Sequence, residues 1–299
     1  MGNKQINLVS ITANKLCVFF GSLIAFCSFF NASAEEHFVL SNGARIYLYE
    51  LNNNEIRKVS NLLSLTEWSA IRPSYDVMRD TIIFEGRKHG DTFTWIFEIK
   101  TWRDKNLLKV NRLFQGRMPS LSPDGKNIAY LNPDRDLVIS ALQNTQSPIV
   151  VVENLKLFVP VVWLDESSIT FNDKDNNLVI FNLLSRTKRR LNARNLTPIA
   201  LSPSKQQLLL ISYDGFKLVL MELRTNITKI LRSSKFLSTV ASAVWLNDES
   251  GFLYSRQTWG NMLTLSEAKS LFIHKIGKEE KEILEKFSLF GGTSVKIKE

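Results

Sequence analysis

The chain has 299 residues, of which 44% are hydrophobic and 22% charged, so a disordered or fibrous chain is disfavoured and a hydrophobic core is expected. Its 38 Lys and Arg residues against 29 Asp and Glu residues give a formal net charge of +9. Spread over a large domain, this excess indicates a solvated basic surface rather than a nucleic-acid site. We therefore expect no nucleic-acid partner, and an anionic envelope surface stays open as an alternative.

The first 34 residues differ in composition from the rest of the chain. An apolar run of 15 residues, Leu16 to Phe30, is followed by the small residues of Ala32-Ser33-Ala34. The run is shorter than the roughly 20 residues that span a bilayer, so the pattern predicts a cleaved signal peptide. The mature domain would then comprise residues 35–299 and be periplasmic or secreted. Both cysteines lie in residues 1–34, so we expect no disulfide and no thiolate chemistry in that domain.

An uncleaved anchor is the alternative interpretation of the same segment. The domain would then be the extracytoplasmic part of a membrane-tethered sensor. Only 15 residues precede the apolar run, so such a sensor would need another membrane protein for its output. We expect attachment to the membrane only if this segment is retained.

An apolar frame of six residues recurs six times after this segment. The copies are IYLYEL, TWIFEI, LVISAL, LVIFNL, LVLMEL and LFIHKI, and they end at residues 51, 99, 142, 183, 223 and 276. Spacings of 40 to 53 residues with strand-like content are typical of propeller blades. Five copies are preceded by two apolar segments around a polar turn, which predicts a β-hairpin. Its clearest turn is Ser122-Pro123-Asp124-Gly125, where proline and glycine favour a tight turn.

A polar turn and a charged outer strand follow each copy, so each blade should have four antiparallel strands. The first copy lacks a hairpin of its own, because only Phe38 to Leu40 precede it as a strand candidate. The C-terminal segment Thr293 to Ile297 alternates as a strand does and belongs to no other repeat. We therefore predict an all-β fold, a six-bladed β-propeller of four-stranded antiparallel blades closed by the C-terminal strand. A closed ring has no free edge for a second copy, so we expect a monomer.

The segment PSLSPDGKNIAYL resembles the repeat of TolB-type propellers and of the propellers of prolyl oligopeptidase relatives. One copy has the full SPDG motif, a second has Ser202-Pro203-Ser204-Lys205, and the others keep only the spacing. The resemblance implies a TolB-like propeller of PD40/WD40-like repeats over residues 38–299, without the N-terminal α/β domain of TolB. It also implies a periplasmic scaffold that binds an envelope protein or peptide.

The loops opposite the SPDG turns are the expected binding region, because loops carry function more often than the scaffold does. On that side, the second repeat has Glu85 to Asp91 and the sixth has an insertion from Ser255 to Ser270. The predicted partner contacts are His89, Asp91, Trp259 and Asn261. Trp163 and Trp245 occupy matching places in their repeats and are expected to pack between blades.

Motifs for catalysis are sparse. The chain has no GxSxG nucleophile elbow, and its three histidines, His37, His89 and His274, show no metal-ligand spacing. We therefore assign no catalytic, cofactor-binding or metal-binding residue, and the main hypothesis is an exported, non-catalytic binding scaffold. The alternative is a propeller hydrolase or lyase in which an Asp/Glu pair converges in the channel.

The fourth repeat contains a basic run with Arg186, Lys188, Arg189, Arg190 and Arg194. We interpret the run as a charged outer strand that discourages aggregation between sheets. An anion-binding patch is the alternative, although no interleaved aromatic residues point to nucleic acid.

Cleavage of the signal peptide gives the first prediction. Because signal peptidase prefers small residues before its cut, the chain isolated from the cell envelope should begin at Glu35. Mass spectrometry of the intact chain measures this directly. A retained Met1 would instead support the anchored sensor.

Overall fold

A computed structural model describes residues 37–41, 46–51, 55–58, 68–76, 79–88, 94–100, 109–142, 147–155, 160–233, 238–259, 267–285 and 292–295. These residues form 24 β-strands and, within those ranges, no helix. The chain divides into the units Met1–Glu35 and Glu36–Glu299, and every strand lies in the second. Across the described part of the chain, no helix is long and apolar enough to span a membrane. The predicted signal peptide, residues 1–34, lies outside the described residues.

Twenty of the strands form five blades, each an antiparallel sheet of four consecutive strands. Blade A contains β4 (Trp68–Asp76), β5 (Thr81–Lys88), β6 (Trp95–Lys100) and β7 (Lys109–Gln115). Blade B contains β8 (Arg117–Leu121), β9 (Asn127–Leu131), β10 (Leu137–Ala141) and β11 (Ile149–Val152). Blade C contains β12 (Val162–Trp163), β13 (Ser168–Asn172), β14 (Asn177–Asn182) and β15 (Lys188–Arg194). Blade D contains β16 (Leu196–Leu201), β17 (Gln207–Ser212), β18 (Lys217–Glu222) and β19 (Thr228–Ser233). Blade E contains β20 (Ser238–Trp245), β21 (Gly251–Trp259), β22 (Glu267–Lys275) and β23 (Lys281–Glu285).

The other four strands form one further sheet, which we call the composite sheet. It contains β1 (His37–Ser41), β2 (Ile46–Glu50), β3 (Glu55–Lys58) and β24 (Gly292–Val295) in the order β24-β1-β2-β3. The prediction of an all-β fold with four-stranded antiparallel blades in a propeller arrangement is confirmed. Five blades, not six, are built from consecutive strands, because the first repeat supplies only three strands and its sheet takes β24 from the other end of the chain.

The middle strands of a blade are buried on both faces. Leu208 of β17 lies in an apolar cluster with Leu178 of blade C, whereas the next residue, Leu209, lies in a cluster with Phe252 of blade E. Successive side chains of a strand point to opposite faces of its sheet, so both neighbours of a blade bury apolar residues against it. This explains why the recurring frames are almost continuously apolar.

The composite sheet packs in the same way against two neighbours. Phe38 of β1 lies in a cluster with Leu253 of blade E, and the adjacent Val39 lies in a cluster with Phe84 of blade A. All four of these residues are fully buried. The first repeat and the last repeat of the chain therefore share one apolar core through this sheet.

Two ends of the blades can be distinguished by their backbone hydrogen bonds. At one end, the turn between the first and second strands lies beside the turn between the third and fourth, and we call this end the turn face. There the N–H groups of Leu142, Leu183, Leu223 and Ile276 donate to the carbonyls of Lys126, Ser167, Gln206 and Ser250, respectively. At the opposite end, the loop face, the connections between blades meet the turns between second and third strands. Asn195 donates to Asn176 there, and Val240 donates to Gly215.

Two segments predicted as loops are partly strand. Residues 85–88 belong to β5, and the hairpin of β21 and β22 remains paired as far as Trp259 opposite Glu267. The polar composition of residues 255–258 suggested a loop. A two-stranded ladder can nevertheless extend beyond the apolar core, because its backbone groups pair with each other and its side chains can face water.

The turns of blades A and B interlock on the turn face. Asp76, at the end of β4, is 3% exposed and forms an ion pair with Arg79, with 3.3 Å between Nε and Oδ2. Arg79 also donates to the carbonyl of Gly125 in blade B. Gly125 has a φ of +66°, and a Cβ added there would lie 2.6 Å from both carboxylate oxygens of Asp76. Two reasons therefore favour glycine at this position: the positive φ of its backbone, and the lack of space for a side chain beside Asp76 of blade A.

Two glycine substitutions should separate the effect of backbone strain from the effect of the contact with Asp76. Gly125→Ala should lower the free energy of unfolding by about 2–3 kcal/mol, because strain at positive φ is added to displacement of a buried, ion-paired carboxylate. The matched control is Gly277→Ala, because Gly277 has a φ of +79° but no atom within 4 Å of an added Cβ. We expect that control to lose only about 1 kcal/mol. Equal losses in urea unfolding would contradict the contact between the blades.

Candidate binding site

The first strands of blades A to E line a cavity of about 780 Å³, which we call the channel. Each of β4, β8, β12, β16 and β20 contributes residues to its wall. Among the described strands, the first strand of each blade pairs with the second strand of that blade and with no other. A concave site of this volume, formed by several elements, is the usual form of a binding site.

Irregular pairing marks the free edges of these strands. β4, β8, β16 and β20 each carry an irregularity in the register with the second strand. In β4 and β8 it includes Arg72 and Met118, with φ values of 52° and 57°, and each of these residues precedes a proline. Proline lacks an N–H and is tolerated where a strand has no partner to bond, and bulges re-aim nearby side chains. The chain thus places its irregular backbone at the wall of the channel.

The lining of the channel is mainly apolar or small and polar. Among the described lining residues, the charged side chains are Arg72 and Asp76, both in β4. Each is paired within blade A, because Arg72 Nη1 lies 2.9 Å from Glu85 Oε2 and Asp76 is paired with Arg79. The converging acidic pair required by the hydrolase or lyase alternative is therefore not formed by the described lining residues.

Glu85 links blades A and B beside the channel. The residue is 5% exposed, and its carboxylate accepts hydrogen bonds from Arg72 and from the backbone N–H of Met118, both at 2.9 Å. It thereby holds the positive-φ backbone of β8 and fixes the guanidinium of Arg72. The sequence placed Glu85 in a binding loop, but the structure makes it a buried acceptor between blades, because β5 is longer than predicted.

The prediction that Trp163 and Trp245 pack between blades is confirmed. They are 5% and 3% exposed. Trp163 Nε1 donates to the carbonyl of Ser120 in blade B at 2.9 Å, and Trp245 Nε1 donates to the carbonyl of Ala200 in blade D at 3.4 Å. Each indole joins the first strands of two neighbouring blades, and the described residues form no backbone ladder between those strands.

An exposed aromatic residue, Tyr213, lies at the loop-face mouth of the channel. It follows β17, is 71% exposed, and lines the channel together with Gly215. Its N–H donates to the carbonyl of Asn195 at 2.8 Å, which fixes the turn. Tyr213 is not among the contacts predicted from the sequence. The available signal was an aromatic residue inside the polar turn Ser212-Tyr213-Asp214-Gly215, where it has no packing role.

The carboxylate next to this ring is held in its charged form. A hydrogen bond from the Ser212 side chain and another from the N–H of Phe216 lower the pKa of Asp214 below its ordinary value. Asp214 is exposed, so the turn presents an anionic group beside the Tyr213 ring. The mouth can therefore contact apolar or aromatic groups and offers an acceptor for a cationic or hydrogen-bonding one.

Three of the four predicted partner contacts, His89, Asp91 and Asn261, lie outside the described residues. Trp259 is the last residue of β21, opposite Glu267, in the hairpin that blade E extends at the loop face. The role of these four residues in binding stays a prediction.

Solved structures share this fold. No protein-family model matches the chain, and no curated protein matches it. TolB from Acinetobacter baumannii is similar over 88% of this chain and 67% of its own, with a TM-score of 0.67 and 14% identity. A chain of the nidogen/laminin complex is similar over 87% of this chain and 98% of its own, with a TM-score of 0.63 and 12% identity. A protein of Agrobacterium tumefaciens assigned to TolB is similar over 87% of this chain and 92% of its own, with a TM-score of 0.58 and 10% identity. The chain has a TolB-like β-propeller fold.

Proposed function

We propose that this protein is an exported, non-catalytic propeller that binds a protein or peptide of the cell envelope at the loop-face mouth of its channel. The observation that carries the proposal is the exposed ring of Tyr213 at the mouth of a channel whose described charges are paired internally. Interfaces draw most of their binding energy from aromatic and apolar side chains that fill pockets. The export step and the periplasmic or secreted location rest on the composition of residues 1–34.

The structural neighbours support a binding role without identifying the partner. One neighbour is a chain of a complex between nidogen and laminin, and the others are TolB proteins. A rigid fold with a concave mouth suits recognition of a protein segment, and the fold by itself carries no chemistry.

We infer further that the composite sheet completes a closed ring of six blades. Pairing of β24 with β1 and packing of the composite sheet against blades A and E support this closure. In such a ring, the connection of blade A that holds His89 and Asp91 and the hairpin of blade E that leads to Trp259 and Asn261 flank the composite sheet. The four predicted contacts would then border one sector of the loop face.

Removal of residues 293–299 tests the closure. The truncation takes away most of β24, leaves one edge of β1 unpaired, and should lower the free energy of unfolding by about 2–4 kcal/mol. Removal of residues 296–299 alone leaves β24 intact and is the matched control. Circular-dichroism melts compare the two chains with the full one. An unchanged melting temperature after the longer truncation would contradict the closure.

Photo-crosslinking in living cells tests the binding role. A photoreactive amino acid at Tyr213 or Trp259 should give a discrete crosslinked envelope protein, because both positions lie on the loop face. The same amino acid at Lys278, an exposed residue of the turn face, is the control. Tyr213→Ala should then weaken binding of the captured protein by about 30-fold, as expected when a central aromatic contact is lost. Absence of a discrete product at both loop-face positions, or the same product at Lys278, would count against the proposal.

A further inference from the structure

The turn face of blades C and D carries a basic and aliphatic surface that the proposed binding site does not use. We propose that this surface docks the protein onto an anionic phospholipid bilayer. We call it the corner patch, and it consists of Leu184, Arg186, Lys188, Arg224, Ile227 and Lys229.

Blade C holds Leu184 outside the core by a fixed turn. The preceding residue, Leu183, packs against the apolar cluster of blades B and C, whereas Leu184 is 85% exposed. Asn182 Oδ1 accepts the N–H groups of Leu184 at 3.1 Å and of Ser185 at 2.9 Å, which clamps the turn. The ordered turn therefore keeps the Leu184 side chain in water. Exposure of an apolar side chain to water is unfavourable, and a second surface that covers Leu184 would remove this cost.

Blade D repeats this arrangement one blade further along. Leu223 packs inward as Leu183 does, and Ile227 is 66% exposed. Thr225 fixes the turn, because its hydroxyl donates to Glu222 Oε2 at 2.8 Å and accepts the N–H of Ile227 at 3.2 Å. Two neighbouring blades thus each project an aliphatic side chain from an ordered turn on the same face.

Cations flank both aliphatic side chains. Arg186 and Lys188 follow Leu184, Arg224 and Lys229 lie on either side of Ile227, and all four are exposed. Among the described residues none of the four forms an ion pair, and Lys188 Nζ lies 5.9 Å from the centroid of the Phe181 ring. Two acidic side chains lie nearby: exposed Glu222 accepts a hydrogen bond from the Thr225 hydroxyl, and Glu166 Oε1 lies 3.9 Å from Lys205 Nζ. The four cations of the patch outnumber these two acidic residues.

The chemistry of the corner patch fits the surface of an anionic bilayer. Aliphatic side chains that enter the headgroup boundary, beside Lys and Arg that bind anionic headgroups, are the means by which peripheral proteins attach. The net charge of the whole chain, +9, has the sign that such a surface attracts.

A bilayer fits the corner patch better than an acidic protein does. Leu184 and Ile227 project from separate turns of two blades and do not enclose a common pocket. A stable protein interface buries about 800 Å² on each partner around a contiguous core. A fluid headgroup layer accepts separate, shallow insertions. Docking by the turn face would also direct the loop-face mouth at Tyr213 away from the bilayer.

Vesicle sedimentation tests the proposal with the full chain as cells produce it. The probes are vesicles of phosphatidylcholine mixed with phosphatidylglycerol and vesicles of phosphatidylcholine alone. The protein should bind the mixed vesicles, and added salt should weaken the binding. We expect Leu184→Asn to weaken binding to the mixed vesicles about tenfold. The double variant Arg186→Gln and Lys188→Gln should weaken it about 25-fold, because each cation contributes a factor of about five.

The control is Lys174→Gln, which removes an exposed cation of blade C at the loop face and should leave binding unchanged. The first residue of every variant is checked by mass spectrometry, and binding to vesicles of phosphatidylcholine alone is subtracted, because the apolar segment in residues 1–34, if retained, would bind both kinds of vesicle. Thermal melts should also agree, because every altered side chain is exposed. If a blade C variant melts early, Ile227→Asn and Arg224→Gln combined with Lys229→Gln test the same patch in blade D.

Equal binding of all variants, or no binding to the mixed vesicles, would overturn the proposal. Capture of an acidic protein through the corner patch without binding to vesicles would overturn it too. These outcomes are independent of the proposed partner site, because crosslinking at Tyr213 reports on the opposite face.

Discussion

Burial of the middle strands on both faces is the constraint on which the rest of this structure depends. A sheet with one wet face can be covered by a single layer, but a sheet that is apolar on both faces needs two neighbours. Leu208 and Leu209 show this at one position of the chain, since consecutive residues enter the cores shared with blade C and with blade E. A blade on its own would leave apolar faces in water, so neighbouring sheets cover each other. The composite sheet, in which β24 pairs with β1, shares apolar clusters with blades A and E.

The channel follows from the same constraint. Covering both faces of a sheet leaves its edges open, and in the described part of the chain the inner edge of each first strand in blades A to E pairs with no other strand. Irregular pairing and prolines are tolerated there, and the links between blades that a ladder would otherwise provide come from side chains. Trp163 and Trp245 supply two of these links, and Glu85 supplies a third through the N–H of Met118. The channel wall is thus irregular in backbone and well connected by side chains, which suits a site that must keep its shape.

The sequence predicts those features of this structure that burial determines, and it does not predict those that backbone pairing or turn geometry determines. The recurring apolar frames and the place of Trp163 could be predicted, because burial on both faces leaves a strong and periodic composition. The length of β21 could not be predicted, because polar residues such as Gln257 pair as well as apolar ones once the backbone ladder continues. The exposure of Leu184 could not be predicted either, since Leu183 is the same residue type one position earlier. What separates the two leucines is the clamp by Asn182, which is a property of the turn geometry.

The two ends of the blades differ in the length of their connections, and this difference suits them to different roles. Near the channel, the turn face is tied from blade to blade. Arg79 reaches Gly125, Lys205 lies near Glu166, and Glu249 accepts a hydrogen bond from the hydroxyl of Ser204 at 2.9 Å. A change in any of these turns disturbs a neighbouring blade, whereas Leu184 and Ile227 lie in outer turns of this face that these contacts do not involve. The loop face is also tied near the channel, because Val240 donates to Gly215 and Tyr213 donates to Asn195. Its connections differ in length, however, and the hairpin of β21 and β22 remains paired as far as Trp259. A partner can therefore be accommodated there by altering a connection without moving a sheet.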